Sequence, residues 1–86
     1  MASVAEVRAA VDAALQQVTE SQAAIQAARE KLGEAQQSLA SALDGSANDA
    51  VGAVHASLSQ ADQQLEECLG ATLLAIEQAQ NYTATL

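Results

Sequence analysis

His55, Asp62 and Glu66 follow one another at intervals of seven and four residues, so on a helix they share one face. In a helical hairpin Glu30 or Glu34 would approach them from the facing helix. Facing carboxylates and histidine are how helical bundles hold metal ions. Here the Glu-x-x-His motif of di-metal bundles is missing and there is one histidine in the chain. The face therefore reads as solvated acidic surface, with no metal ligand set. Cys68 is flanked by Leu65 and Leu69 at helical spacing, with no His, Lys or Arg close by in sequence to lower its pKa. It reads as a buried structural cysteine, the alternative being a symmetric intermolecular disulfide in an oxidising compartment. Tyr82, the only aromatic residue, reads as a staple against the first helix, or else as an exposed recognition residue. Asn81-Tyr82-Thr83 matches the short N-glycosylation pattern, which recurs by chance. No nucleophile with a base, no glycine-rich phosphate loop and no aromatic pocket can be assembled from these residues. The expectation is no enzyme, no catalytic residue, no cofactor and no small-molecule substrate.

The elements that position these residues are written in one period. Val4, Val11, Val18, Ile25, Leu32 and Leu39 recur at an unbroken spacing of seven, which makes one apolar seam along one long helix. Ser3 and Glu6 form a Ser-x-x-Glu capping box at its start. A neighbouring row of Val7, Ala14, Ser21, Ala28, Ala35 and Ala42 is nearly all small, and predicts close approach of a partner helix along that row. Gly33 reads as a surface glycine, or as a point of close helix approach beside Leu32. Asp44, Gly45 and Ser46 supply turn chemistry, and Ser46 or Asn48 then caps a second helix. That helix carries Val51, Val54, Leu58, Leu65, Leu69 and Ile76 toward the seam, in a pattern that drifts from strict heptads. Leu73 and Leu74 are adjacent, so one of them faces away and becomes a candidate contact for another chain, together with Cys68 and Tyr82.

The expected architecture is all-α: a single antiparallel two-helix hairpin over residues 1–86, coiled-coil-like. Helix 1 spans about 4–43, the turn 44–48 and helix 2 about 49–82. Folding about residue 46 brings Arg29 and Lys31 near Asp62 and Glu66. It also puts Ser21 and Gln22 opposite Gly70 and Thr72, as a polar layer that fixes register at some cost in stability. The final residues, Asn81 to Leu86, are expected to fray.

Composition bounds the function. Half of the residues are hydrophobic, yet the 86-residue chain has no Phe, Trp or Pro, and about a quarter of it is alanine, which buries little area. A domain this small buries only about 60% of its unfolded surface, so pairing of two hairpins into a four-helix bundle would supply the missing burial. The net charge is −8, against phosphate-backbone binding and against docking on anionic lipid. Residues 1–43 carry five acids and three bases, whereas residues 44–86 carry six acids and no Lys or Arg. By charge a basic or neutral partner fits best, and self-association would have to be driven by apolar contact. The expectation is a homo-oligomer or a paralogous helical partner, with no nucleic acid and no membrane insertion. The N-terminus contains an acid and no continuous apolar run, so the expected location is cytoplasmic, or secreted by a leaderless route.

An alanine- and glutamine-rich chain of under a hundred residues, folded as one hairpin with a lone tyrosine near its end, resembles the WXG100 and ESX-type proteins of actinobacterial type VII secretion. This sequence departs from them at the turn, Leu43-Asp44-Gly45-Ser46, which has no Trp-x-Gly. It departs also at Leu86, four residues after Tyr82, where the export signal has an acid. The resemblance implies a small secretion substrate or companion protein that acts by forming a homo- or heterodimeric bundle. The alternative is a structural protein that polymerises through coiled-coil contacts.

Overall fold

A computed structural model describes residues 2–44 and 49–86, and among these the chain is all-α, two helices packed as a hairpin. Helix α1 runs Val4–Ala42 and α2 runs Asp49–Ala84. Ser3 caps α1, its Oγ accepting from the Glu6 backbone N–H at 3.1 Å. At the other end the Leu43 N–H donates to the Leu39 carbonyl at 2.9 Å. Asp44 ends the described part of the first arm, and the expected turn at Gly45 and Ser46, with the alternative cap Asn48, lies outside the described residues. The tail departs from expectation, because α2 continues helical to Ala84. The threonines there hydrogen-bond back to their own helix, Thr83 Oγ1 to Gln80 O at 3.0 Å and Thr85 Oγ1 to Tyr82 O at 2.7 Å. The Tyr82 carbonyl also accepts from the Thr85 backbone N–H at 3.1 Å, and the Thr83 carbonyl from that of Leu86 at 3.2 Å, which satisfies carbonyls at the end of the helix.

The hairpin is a rod of 65 × 17 × 15 Å, the length of one helix of this size. Two helices share a single line of contact, and none of the described residues is fully buried. Half-buried positions mark the seam. On α1 they are Val7, Val11, Leu15, Val18, Gln22, Ile25, Arg29, Leu32, Gln36 and Leu39. On α2 they include Val51, His55, Leu58, Asp62, Leu65, Leu69, Thr72, Ile76, Ala79 and Thr83. Apart from Ala61, half-buried beside Asp62, the α2 series alternates four and three residues, which corrects the expected drift: α2 is as regular a heptad helix as α1. The apparent drift came from Val54, Leu73 and Leu74, which lie off the seam and stand 43%, 57% and 53% exposed. Val4, at the open end, is 51% exposed.

The glycines sit on open surface. A methyl group built at Gly33, Gly52 or Gly70 meets nothing within 4 Å, so Gly33 serves no close approach. Replacing any of them by Ala removes backbone entropy from the unfolded chain without a steric cost. Gly33→Ala and Gly70→Ala should each raise the free energy of unfolding by about 0.5–1 kcal/mol; urea titration at fixed protein concentration checks this.

Candidate interaction surface

The row that completes the α1 seam lies four residues beyond each aliphatic residue, where three was expected. Lettering the heptads so that Val11, Val18, Ile25, Leu32 and Leu39 occupy position d, the other seam position a holds Leu15, Gln22, Arg29 and Gln36. The alanine row is position g, on the flank; all of it beyond Val7 is exposed. Three of the nine a and d residues are thus polar, and each of the three reaches across to α2. Gln22 Nε2 donates to Thr72 Oγ1 at 3.1 Å, and Thr72 Oγ1 donates in turn to Leu69 O at 2.6 Å. Gln36 Nε2 donates to Ser59 Oγ at 3.0 Å and to the His55 carbonyl at 3.4 Å. Arg29 forks onto Asp62, Nε to Oδ1 at 2.9 Å and Nη2 to Oδ2 at 3.3 Å, and its Nη2 lies 3.7 Å from Glu66 Oε2. This bidentate geometry is the strong form of an ion pair.

Other expected partners fall elsewhere. Lys31 pairs with Glu34 on its own helix at 3.1 Å. Ser21 Oγ donates to its own Gln17 carbonyl, and Gly70 is exposed, so the polar layer consists of Gln22 and Thr72 alone among the four residues expected in it. Asp62 and Glu66, the carboxylates grouped with His55 in the sequence, face Arg29. Among the described residues no group of three His, Cys, Asp or Glu is placed to hold a metal ion. A shallow depression lined by Glu34, Gln37, Ser38, Ser41 and Ala42 is open to solvent along one helix.

Cys68 is a free, exposed thiol, which corrects the expectation of a buried one. Tyr82 is 54% exposed and does not act as a buried staple. Both belong to one row: Val54, Ala61, Cys68, Ala75 and Tyr82 recur at intervals of seven in position g of α2. Because the helices run antiparallel, the g rows of α1 and α2 border the same side of the seam, and the e rows border the other. The contacts of Arg29 with Glu66 and of Gln36 with Ser59 run along the e side, since Glu66 and Ser59 are e residues of α2.

Charge is divided accordingly. Asp12, Glu30, Glu66 and Glu77 stand on the e and b rows, and Glu6, Glu20, Glu34 and Glu67 on the outermost f row. No acid of either described helix falls on the g or c rows, where Lys31 is the lone charge. One flank is acidic and tied by cross-helix polar bonds; the opposite flank is a strip rich in small residues that carries no acid and one base, Lys31, along the length of the rod. The sequence carried this signal in the two-heptad spacing of Val54, Cys68 and Tyr82, which is visible only once the α2 seam is known. Leu73 and Leu74 lie on the e and f rows, away from that strip.

No family model matches the chain, and neither a curated protein nor a solved structure matches it. Among the described residues no helix is long and apolar enough to cross a membrane.

The polar layers generate two predictions. Arg29 holds the Asp62 carboxyl below its ordinary pKa, first by its hydrogen bond and then by its charge, while partial desolvation opposes the shift. A lowered folded-state pKa contributes stability that is present above the unfolded value and lost as pH falls through the folded one. Asp62→Asn should therefore lower the melting temperature at pH 7, and the gap to wild type should narrow as pH falls below the ordinary carboxylate range, a convergence that thermal melts by circular dichroism would show. The double variant Gln22→Leu/Thr72→Leu should raise the melting temperature yet multiply the amide resonances in a nitrogen–proton NMR spectrum, as a purely aliphatic layer relaxes the register.

Proposed function

We propose that this protein is a non-enzymatic helical interaction module, a hairpin that completes its core by pairing into a four-helix bundle with a second copy or a paralogous helical partner. The observation that carries this reading is the lack of any fully buried residue among those described. A seam of half-exposed aliphatics and hydrogen-bonded polar residues covers too little apolar area to offset roughly 1.5 kcal/mol of ordering entropy per residue. The acid-free strip supplies a second face on which burial can be completed. Its outline, like that of the WXG100 and ESX-type proteins, supports the narrower proposal of a type VII secretion-like substrate or companion protein.

A second reading, a structural protein that polymerises through coiled-coil contacts, is favoured by Leu73 and Leu74. Their position away from the strip offers a contact that a closed pair would leave unused, and contacts on two sides permit open assembly.

Light scattering combined with circular dichroism separates these readings from a self-sufficient monomer. The expected result is a mass above one chain wherever the protein is helical, or helicity gained on adding the partner recovered from native lysate. A fully helical monomer at micromolar concentration would overturn the proposal. Electron microscopy distinguishes small closed particles, expected for the bundle, from filaments.

A further inference from the structure

We infer that the occupant of the acid-free strip is a second copy of this chain, docked antiparallel about a two-fold axis that passes beside Cys68. This rests on the bundle reading above and specifies its partner and register.

Three observations converge on it. The first is area. A compact monomer of 8.8 kDa exposes about 4,800 Å², whereas this chain exposes 6128 Å². The excess, on the order of 1,300 Å², exceeds the ~800 Å² that each partner commonly contributes to a stable interface. The second is charge. Two copies at −8 each repel, and at physiological salt that repulsion is screened beyond about 8 Å. Pairing through the g and c rows keeps the acids of both copies on outward faces, and it is the arrangement that meets no acid at the contact.

The third observation is the order of residues along the strip. The α2 row reads Val54, Ala61, Cys68, Ala75, Tyr82, with Cys68 at its centre, an alanine seven residues to either side of it and a larger residue, Val54 or Tyr82, at each end. An antiparallel copy turned about that centre sets Tyr82 on Val54 of the second copy, Ala75 on Ala61, and Cys68 on itself. The larger side chains at the ends of the row stand 54% exposed for Tyr82 and 43% for Val54, and each covers the other. The α1 row reads the same way about a centre between Ser21 and Ala28, with Ala14 opposite Ala35 and Val7 opposite Ala42. Both centres lie at one level of the rod, between the Gln22–Thr72 and Arg29–Asp62 bonds. A single two-fold axis therefore serves both helices at once, as an isologous interface requires. Small residues at the middle of both rows let the backbones approach toward the short end of the 8–10 Å range.

The test uses Cys68 as a proximity reporter, with glutathione disulfide as oxidant. One Cys68 thiolate attacks it, releasing one glutathione and forming a mixed disulfide. The second copy's thiolate then displaces the other glutathione, so two protein thiols become one disulfide while one glutathione disulfide becomes two thiols that carry off both protons. The expected result is a dimer mass by light scattering and near-complete cross-linking of the wild-type chain with its helicity retained. In a Cys68→Ser background, Ala61→Cys alone should fail to cross-link, because the two copies of position 61 stand about 21 Å apart along the axis. Mixing it with Ala75→Cys in the same background should restore the cross-linked product. Ala75→Glu should weaken the dimer at least ~tenfold, by burying an unpaired charge, while Ala56→Glu, on the acidic flank, leaves it within about twofold.

A dimer in which Ala61→Cys cross-links to itself as readily as Cys68, or in which Cys68 does not cross-link, would overturn the two-fold and leave the bundle reading in place. A chain that becomes helical only with a different protein would likewise overturn the second copy alone. A stable helical monomer would remove both.

Discussion

Two helices that meet along one line can offer each other only two of every seven residues, and in α1 one of those two positions is taken by Gln22, Arg29 and Gln36. Each donates a hydrogen bond to α2. A polar group drawn into a seam costs free energy unless it finds a partner there, and a one-residue or one-turn slip would separate all three donors from their acceptors together. Register in this hairpin is thus selected by the cost of mispairing, while the aliphatic d row provides the general attraction. The arrangement explains how a chain without Phe or Trp and with a quarter alanine defines one alignment of its two arms. It also explains why so little is buried: the positions that specify the pairing are ones that cannot contribute apolar area.

The flanks follow from the same constraint. Arg29 and Gln36 lean toward the e side to reach Glu66 and Ser59, which draws charge and hydrogen bonding to that side. The g side needs no cross-helix bond and holds Ala, Ser, Val, Cys and Tyr. A rod with one wetted, acidic edge and one acid-free edge has a preferred direction for its next contact.

The hairpin itself was legible because its clearest signal is aliphatic and periodic: Val11 to Leu39 can be read by counting sevens, and the cap at Ser3 has a local signature. The second row of the α1 seam was not. Rows three and four residues beyond the aliphatic row are equally near it on a helix, and alanine looks more like core than Gln22 or Arg29 does. The choice between them is made by the partner, through Thr72, Asp62 and Ser59, which is a tertiary fact. Cys68 and Tyr82 were misplaced for a related reason: apolar neighbours in sequence do not say which side of the helix a residue occupies, and a displacement of one heptad position moves a side chain from the seam to its edge. The Arg29–Asp62 pairing was legible, since cations are few and a fold about residue 46 leaves Arg29 few acids within reach.

The polar rungs are nested. Gln36 bonds a partner 19 residues away at the backbone of His55, Arg29 one 33 residues away, and Gln22 one 50 residues away. Once the inner rung has closed, each further rung adds only a few tenths of a kcal/mol of loop-closure entropy, roughly 0.4–0.5 by logarithmic scaling, where forming the outermost rung first would incur the whole loop at once. The chain is thereby disposed to close like a zip from the turn outward. The order of assembly is written into the same three side chains that set the alignment, and the end that closes last is the one that carries Val4 and Tyr82.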